Sequence, residues 1–208
     1  MLSLKRISIL CIIFAGIQFI IITILIMIIY PGGYSFWGNS FSQLGQTTAN
    51  GQSNITGYIL FATTCIITAF LTIPFWLTLR TVFKEKKLLI YLSWLGTILG
   101  LIAAPFLALL AIFPRDLLWD PHILSTRLFF IFYASAIVIY SIAIIFHKNY
   151  ENIYALIGIV IAIFNLIYIL ILQFQIYGAA IQKIAVYATI LWSDFQCLKL
   201  WRIVDHSS

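Results

Sequence analysis

Charge is what this chain lacks. Only 9% of its 208 residues are Asp, Glu, Lys or Arg, and only six are acidic. The surface of a soluble globular protein draws on roughly 25% charged residues, so a water-facing fold is excluded. Cysteine is sparse as well. Cys11, Cys65 and Cys197 each fall inside an apolar run, with no C-x-x-C pair and no haem-attachment motif. This excludes a disulfide framework and leaves the three thiols as small packing groups. No G-x-S-x-G elbow is present, and only His122 is expected on the outer side among three histidines. A serine hydrolase has little to build on. The net charge of +6 comes without a stacking platform beside a basic groove, so nucleic acid is excluded as a partner. No cofactor is expected.

Apolar length is abundant. Hydrophobic residues make up 63% of the chain and the mean hydropathy is +1.08. Ile7 to Ile29 carries no charge and as a helix extends about 34 Å, enough to cross a hydrocarbon core of about 30 Å. Tyr30-Pro31-Gly32-Gly33 closes this run where a signal peptide would carry a small-residue cleavage site, so it reads as a retained first helix. Spans are expected at about 7–29, 57–79, 88–112, 123–146, 153–172 and 184–201. Together they form one all-α, polytopic transmembrane domain over 1–208. The last span is the least apolar, since it holds Asp194, Gln196 and Lys199. Basic residues decide for it. With six spans and both termini cytoplasmic, nine Lys and Arg lie inside and three outside, whereas five spans give seven and five. A plasma-membrane location and membrane-lipid partners follow.

The segment from Tyr30 to Thr56 is long, uncharged and rich in Gly, Ser, Asn and Gln, with Tyr34, Phe36, Trp37 and Phe41 interleaved. Such a loop suits the headgroup level and is expected against the bilayer or over the mouth of the bundle. Its sequon, Asn54-Ile55-Thr56, sits at the entry to the second span, where glycosylation is disfavoured. Pro74 is expected to kink the second span. In the third span Gly96 and Gly100 form a G-x-x-x-G seam, which permits close helix approach and offers a face for a homo- or hetero-oligomer.

Three groups of residues could carry chemistry. Asp116, Asp120 and His122 offer two carboxylates and an imidazole between the third and fourth spans. They could take a divalent ion or act as a base pair, although their spacing matches no metal motif and Asp120-Pro121 also suits a helix start with Asp120 as cap. No residue is assigned as catalytic or metal-binding on this basis. Arg127, Asn165 and Asp194 lie within spans, where polar residues mark function by default. Arg127, Arg115 and Trp37 are placed to meet lipid headgroups. Asn39, Ser40, Ser42 and Gln43 form a polar run in the first loop.

YPGGYSFWGNSFSQLGQT after the first span, AIFPRD followed by His122 after the third, and IQKIAVYATILW entering the last together resemble the domain-of-unknown-function-998 family of six-helix prokaryotic membrane proteins. More distantly the chain is similar to the Frag1/DRAM/Sfk1 group, tied to lipid and membrane homeostasis. Ser42-Gln43-Leu44-Gly45 matches that group's SELG-like segment, with Gln43 in place of the acidic residue. The resemblance implies fold and topology and no reaction. The function expected is therefore a non-catalytic membrane protein that meets lipid or a partner. An outer-leaflet lipid-modifying enzyme built on the Asp/His cluster and a small transporter are the alternatives.

Overall fold

Among the described residues, six long helices lie where the six spans are expected. The computed structural model describes residues 4–173 and 178–205. The helices are α1 (Leu4–Ile29), α3 (Ile55–Leu79), α4 (Lys87–Ile112), α5 (Trp119–Ile145), α6 (Asn152–Gln173) and α7 (Ala179–Asp205); the one-turn α2 (Phe41–Leu44) lies in the first loop. Among the described residues, five helices are long and apolar enough to cross a membrane: α1, α3, α4, α5 and α6. The chain is thus an integral, multi-pass membrane protein with an all-α bundle. α7 is as long as the others but carries Lys183, Asp194, Lys199 and Arg202.

The helices pack in sequence order, α1 on α3, α3 on α4, α4 on α5 and α5 on α6, and α7 closes the ring between α6 and α1. Their outward faces are apolar, as with Phe70 at 67% exposed and Leu156 at 57%. Without lipid that surface would be far larger than the apolar patches soluble monomers tolerate. Aromatic rings fill the ring's interior: Trp76 stacks on Tyr140 at 5.9 Å and lies 5.8 Å from Trp192.

Gly96 and Gly100 point into this interior. A Cβ on Gly96 would come within 2.8 Å of the Tyr140 ring, and one on Gly100 within 2.3 Å of the Trp76 ring. The close approach that this G-x-x-x-G allows is therefore made inside one chain.

Helix ends depart from the sequence expectations at two places. α5 begins at Trp119 with Leu118 as its N-cap, so Asp120 lies in the first turn and does not cap the helix. The reason is a turn from Pro114, whose carbonyl accepts the Leu118 N–H at 2.8 Å, after which Leu118 starts the ladder to His122 at 3.0 Å. Asp120 still complements the positive end of the helix dipole. The outer turn expected over 173–183 lies partly outside the described residues, and from Ala179 onward it is helical. His206 also lies outside them.

At the end opposite the first loop, Lys199 pairs with Glu151 at 2.7 Å and His147 lies 3.8 Å from Glu85. Arg80 sits 4.0 Å over the Trp94 ring.

Candidate functional site

The first loop folds into a cap over one end of the ring, and a cavity lies beneath it. Gly32 and Gly33, at φ of 72° and 87°, turn the chain out of α1. Asn50 and Gly51, at φ of 49° and 76°, make the tight turn between strands β1 (Thr48–Ala49) and β2 (Gln52–Ser53), the φ > 0 pair that a two-residue hairpin needs. Ser40 precedes α2, and its N–H donates to the Gln43 side-chain oxygen at 2.7 Å. This is the Gln43 arm of a capping box. A glutamate at this position would accept the same bond. Asn54 is buried and donates to the Leu44 and Gln46 carbonyls, so the sequon's amide is not presented for glycosylation.

Three ties hold the cap down. The Asp116 carboxylate accepts from the Thr47 N–H at 3.0 Å, the Thr47 hydroxyl at 2.7 Å and the Thr48 N–H at 3.0 Å. Partial burial opposes its ionisation, but these donors outweigh burial and hold the carboxyl below its ordinary range. Arg115 donates to the Ser40 hydroxyl at 2.8 Å and lies 4.9 Å over the Trp119 ring. From α7, Lys183 donates to the Asn39 carbonyl, and Gln182 donates to the Ser42 hydroxyl at 3.1 Å. The Lys183 ammonium also rests 5.3 Å over Tyr34 and 5.0 Å over Phe36.

His122 lies below the cap with a separate task. Its Nδ1 stands 2.7 Å from the Leu110 carbonyl and 3.0 Å from that of Phe113. Since both neighbours are acceptors, Nδ1 carries the proton, and His122 satisfies carbonyls that the end of α4 leaves open. Asp116, Asp120 and His122 therefore go to different places: to the first loop, to the exposed first turn of α5, and into the α4–α5 packing. Among the described residues, no three His, Cys, Asp or Glu side chains gather to hold a metal ion.

The cavity holds about 790 Å³ of unfilled space, counting open solvent at its mouth. Ile12 and Phe19 of α1, Cys65 of α3, Leu107 of α4, Phe129 of α5 and Ile190 of α7 represent its largely apolar wall, with Phe41 and Ser42 of the cap at one end. Along α7 the lining runs from Gln182 to Asp194, roughly 18 Å at the helical rise. Of the three embedded polar residues, only Asp194 lines it. Asn165 exchanges hydrogen bonds with Thr189 of α7 at 3.1 and 3.3 Å. Arg127 is half-buried on α5, and Trp37 is 74% exposed on the cap.

A family model described as "Protein of unknown function (DUF998)" matches residues 13–193. The chain belongs to the DUF998 family. The matched stretch of this DUF998 protein contains the whole cap and every lining residue of the cavity except Ile12 and Asp194. No curated protein and no solved structure matches the chain.

Sequence reasoning did not single out Lys183 or Gln182 as site residues, nor the cavity. Lys183 reads in the sequence as the last residue of an outer, partly interfacial turn, yet it is 1% exposed. The available signal was its place in a segment with a helical run of apolar residues on either side, Ile181 and Ile184 to Val186.

Proposed function

We propose that this protein is a non-catalytic membrane component that takes up the apolar body of a lipid or similar amphiphile between its helices. The observation that carries this reading is the cavity: apolar-walled, lined by α7 and by four helices of membrane-spanning length, and closed at one end by the uncharged loop. Two members of the outer Asp/His cluster make structural contacts instead. Asp116 holds the cap and His122 holds the end of α4. Trp37 and Arg127, and Arg115 at the edge of the cap, are assigned to the lipid headgroup region.

In this reading α7 is a sixth span, both termini are cytoplasmic, the cap faces outward, and the membrane is the plasma membrane. The excess of Lys and Arg at the end opposite the cap supports the orientation. A cysteine placed at Ser207 is expected to react with an impermeant maleimide only after cells are opened. Labelling in intact cells would overturn the six-span topology.

The binding role is tested by photolabelling with a diazirine-bearing long-chain alcohol in purified protein. Label is expected on peptides holding Phe19 and Phe129 of the wall, and to fall when Val186→Trp fills the space. Label confined to outward residues such as Ile131 and Leu166 would refute the reading.

A further inference from the structure

Resting on the binding role just proposed, the polar groups of the cavity select the head of its ligand. Most of the polar side chains in the wall are already paired. Thr72 donates to the Ala69 carbonyl at 2.8 Å, and Thr126 to that of His122 at 2.8 Å. Thr68 donates to the Thr64 carbonyl at 2.8 Å and accepts from Gln18 at 2.7 Å. Tyr133 pairs with Ser193 at 2.7 Å, and Thr189 pairs with Asn165. Two atoms of the wall are left buried without a hydrogen-bond partner among the described residues, Gln182 Oε1 and Asp194 Oδ1.

Both are acceptors, and Asp194 is the one charged side chain in the wall. No cation of the described residues pairs with it. Its surroundings are apolar or small: a Cβ on Gly16 would stand 3.4 Å from one of its oxygens and 2.9 Å from Ile190. A carboxylate in such a place is costly unless a cation and a donor meet it. At the Asp194 end this leaves a demand for donors and positive charge, while Gln182 Oε1, roughly 18 Å along α7 at the cap end, asks for a donor only.

We infer that the cavity binds a cationic amphiphile, a long aliphatic chain ending in a protonated amine, with the amine on Asp194 and the chain running along α7 toward Gln182. An alkylammonium head brings donors and one positive charge, and the apolar wall takes the chain. Fatty acids and phosphate heads are disfavoured, because they would set acceptors and negative charge against a carboxylate.

The test is displacement of the long-chain alcohol photolabel from purified protein by hexadecylamine, hexadecanol and hexadecanoic acid at neutral pH. In the wild type, hexadecylamine is expected to displace the label at concentrations about tenfold or more below those of the alcohol, the order expected of one charge-assisted hydrogen bond in a dry site. Asp194→Asn should still take the label but lose the preference, and Asp194→Glu should keep it. Equal potency of amine and alcohol in the wild type, or a preference that survives in Asp194→Asn, would overturn the inference while leaving the cavity a binding site. If Asp194→Asn does not fold, the wild type still decides, because an acid as potent as the amine overturns it. Failure of the label to reach the wall at all would remove the binding role itself, and this inference with it.

Discussion

Asp116→Ala should loosen the cap without unfolding the bundle. The carboxylate receives three donors from Thr47 and Thr48, residues 69 and 68 positions away in the chain. Hydrogen bonds to a charged acceptor contribute about 1.5–3 kcal/mol each when shielded. These are exposed, so solvent screening reduces the whole set to about 1–2 kcal/mol. Once the carboxylate is gone, water can satisfy the freed N–H groups, so no buried donor adds to the loss. The effect should appear as local opening, with amide hydrogen exchange at Thr47 and Thr48 faster by roughly 5–30-fold and little change in protection within α4 and α5. The tie should also depend on pH. The native carboxyl is held below the ordinary Asp range, burial opposing and the three donors prevailing. Its contribution is therefore complete above the unfolded value of about 3.9 and fades as pH falls through the native one. Unchanged exchange at Thr47 and Thr48 in the variant, or a cap that loosens as pH rises, would refute this reasoning.

Other expectations can be checked by thermal unfolding in detergent. Gly100→Ala should destabilise by about 1–3 kcal/mol, because its Cβ would enter the Trp76 ring. His122→Phe should cost about 1–3 kcal/mol by leaving the Leu110 and Phe113 carbonyls without their donor. Gln18→Leu should cost about 1 kcal/mol: Gln18 clasps α1 to α3 through Thr64 and Thr68, and hydrogen bonds between membrane helices are individually weak. A stable Gln18→Leu variant with an unchanged midpoint would show that this clasp adds nothing beyond packing.

The bundle could be read from the sequence because lipid imposes a single long-wavelength signal. Ile7 to Ile29 must be helical to satisfy its backbone in hydrocarbon, and its length follows from bilayer thickness. Helix ends carried less information. Asp120-Pro121 has the local chemistry of a cap, but the turn set by Pro114 starts α5 earlier and leaves Asp120 inside the first turn. The cap was legible only as a loop suited to an interface. Its anchors, Asp116 to Thr47 and Lys183 to Asn39, join residues 69 and 144 positions apart, and no periodicity encodes such pairings. Gly96 and Gly100 were legible as a seam but not as one facing Tyr140 and Trp76 of the same chain. The cavity could not be read at all. It is space left where five helices and the cap converge, and its demand for a donor depends on which hydroxyls are already paired.

Native mass spectrometry of the protein released from nanodiscs of defined lipid and supplied with hexadecylamine tests ligand uptake most directly. One tightly held amphiphile per chain is expected in the wild type and none in Val186→Trp, with both variants equally folded. Equal retention by the two proteins, or none by either, would contradict a ligand-binding cavity between the helices.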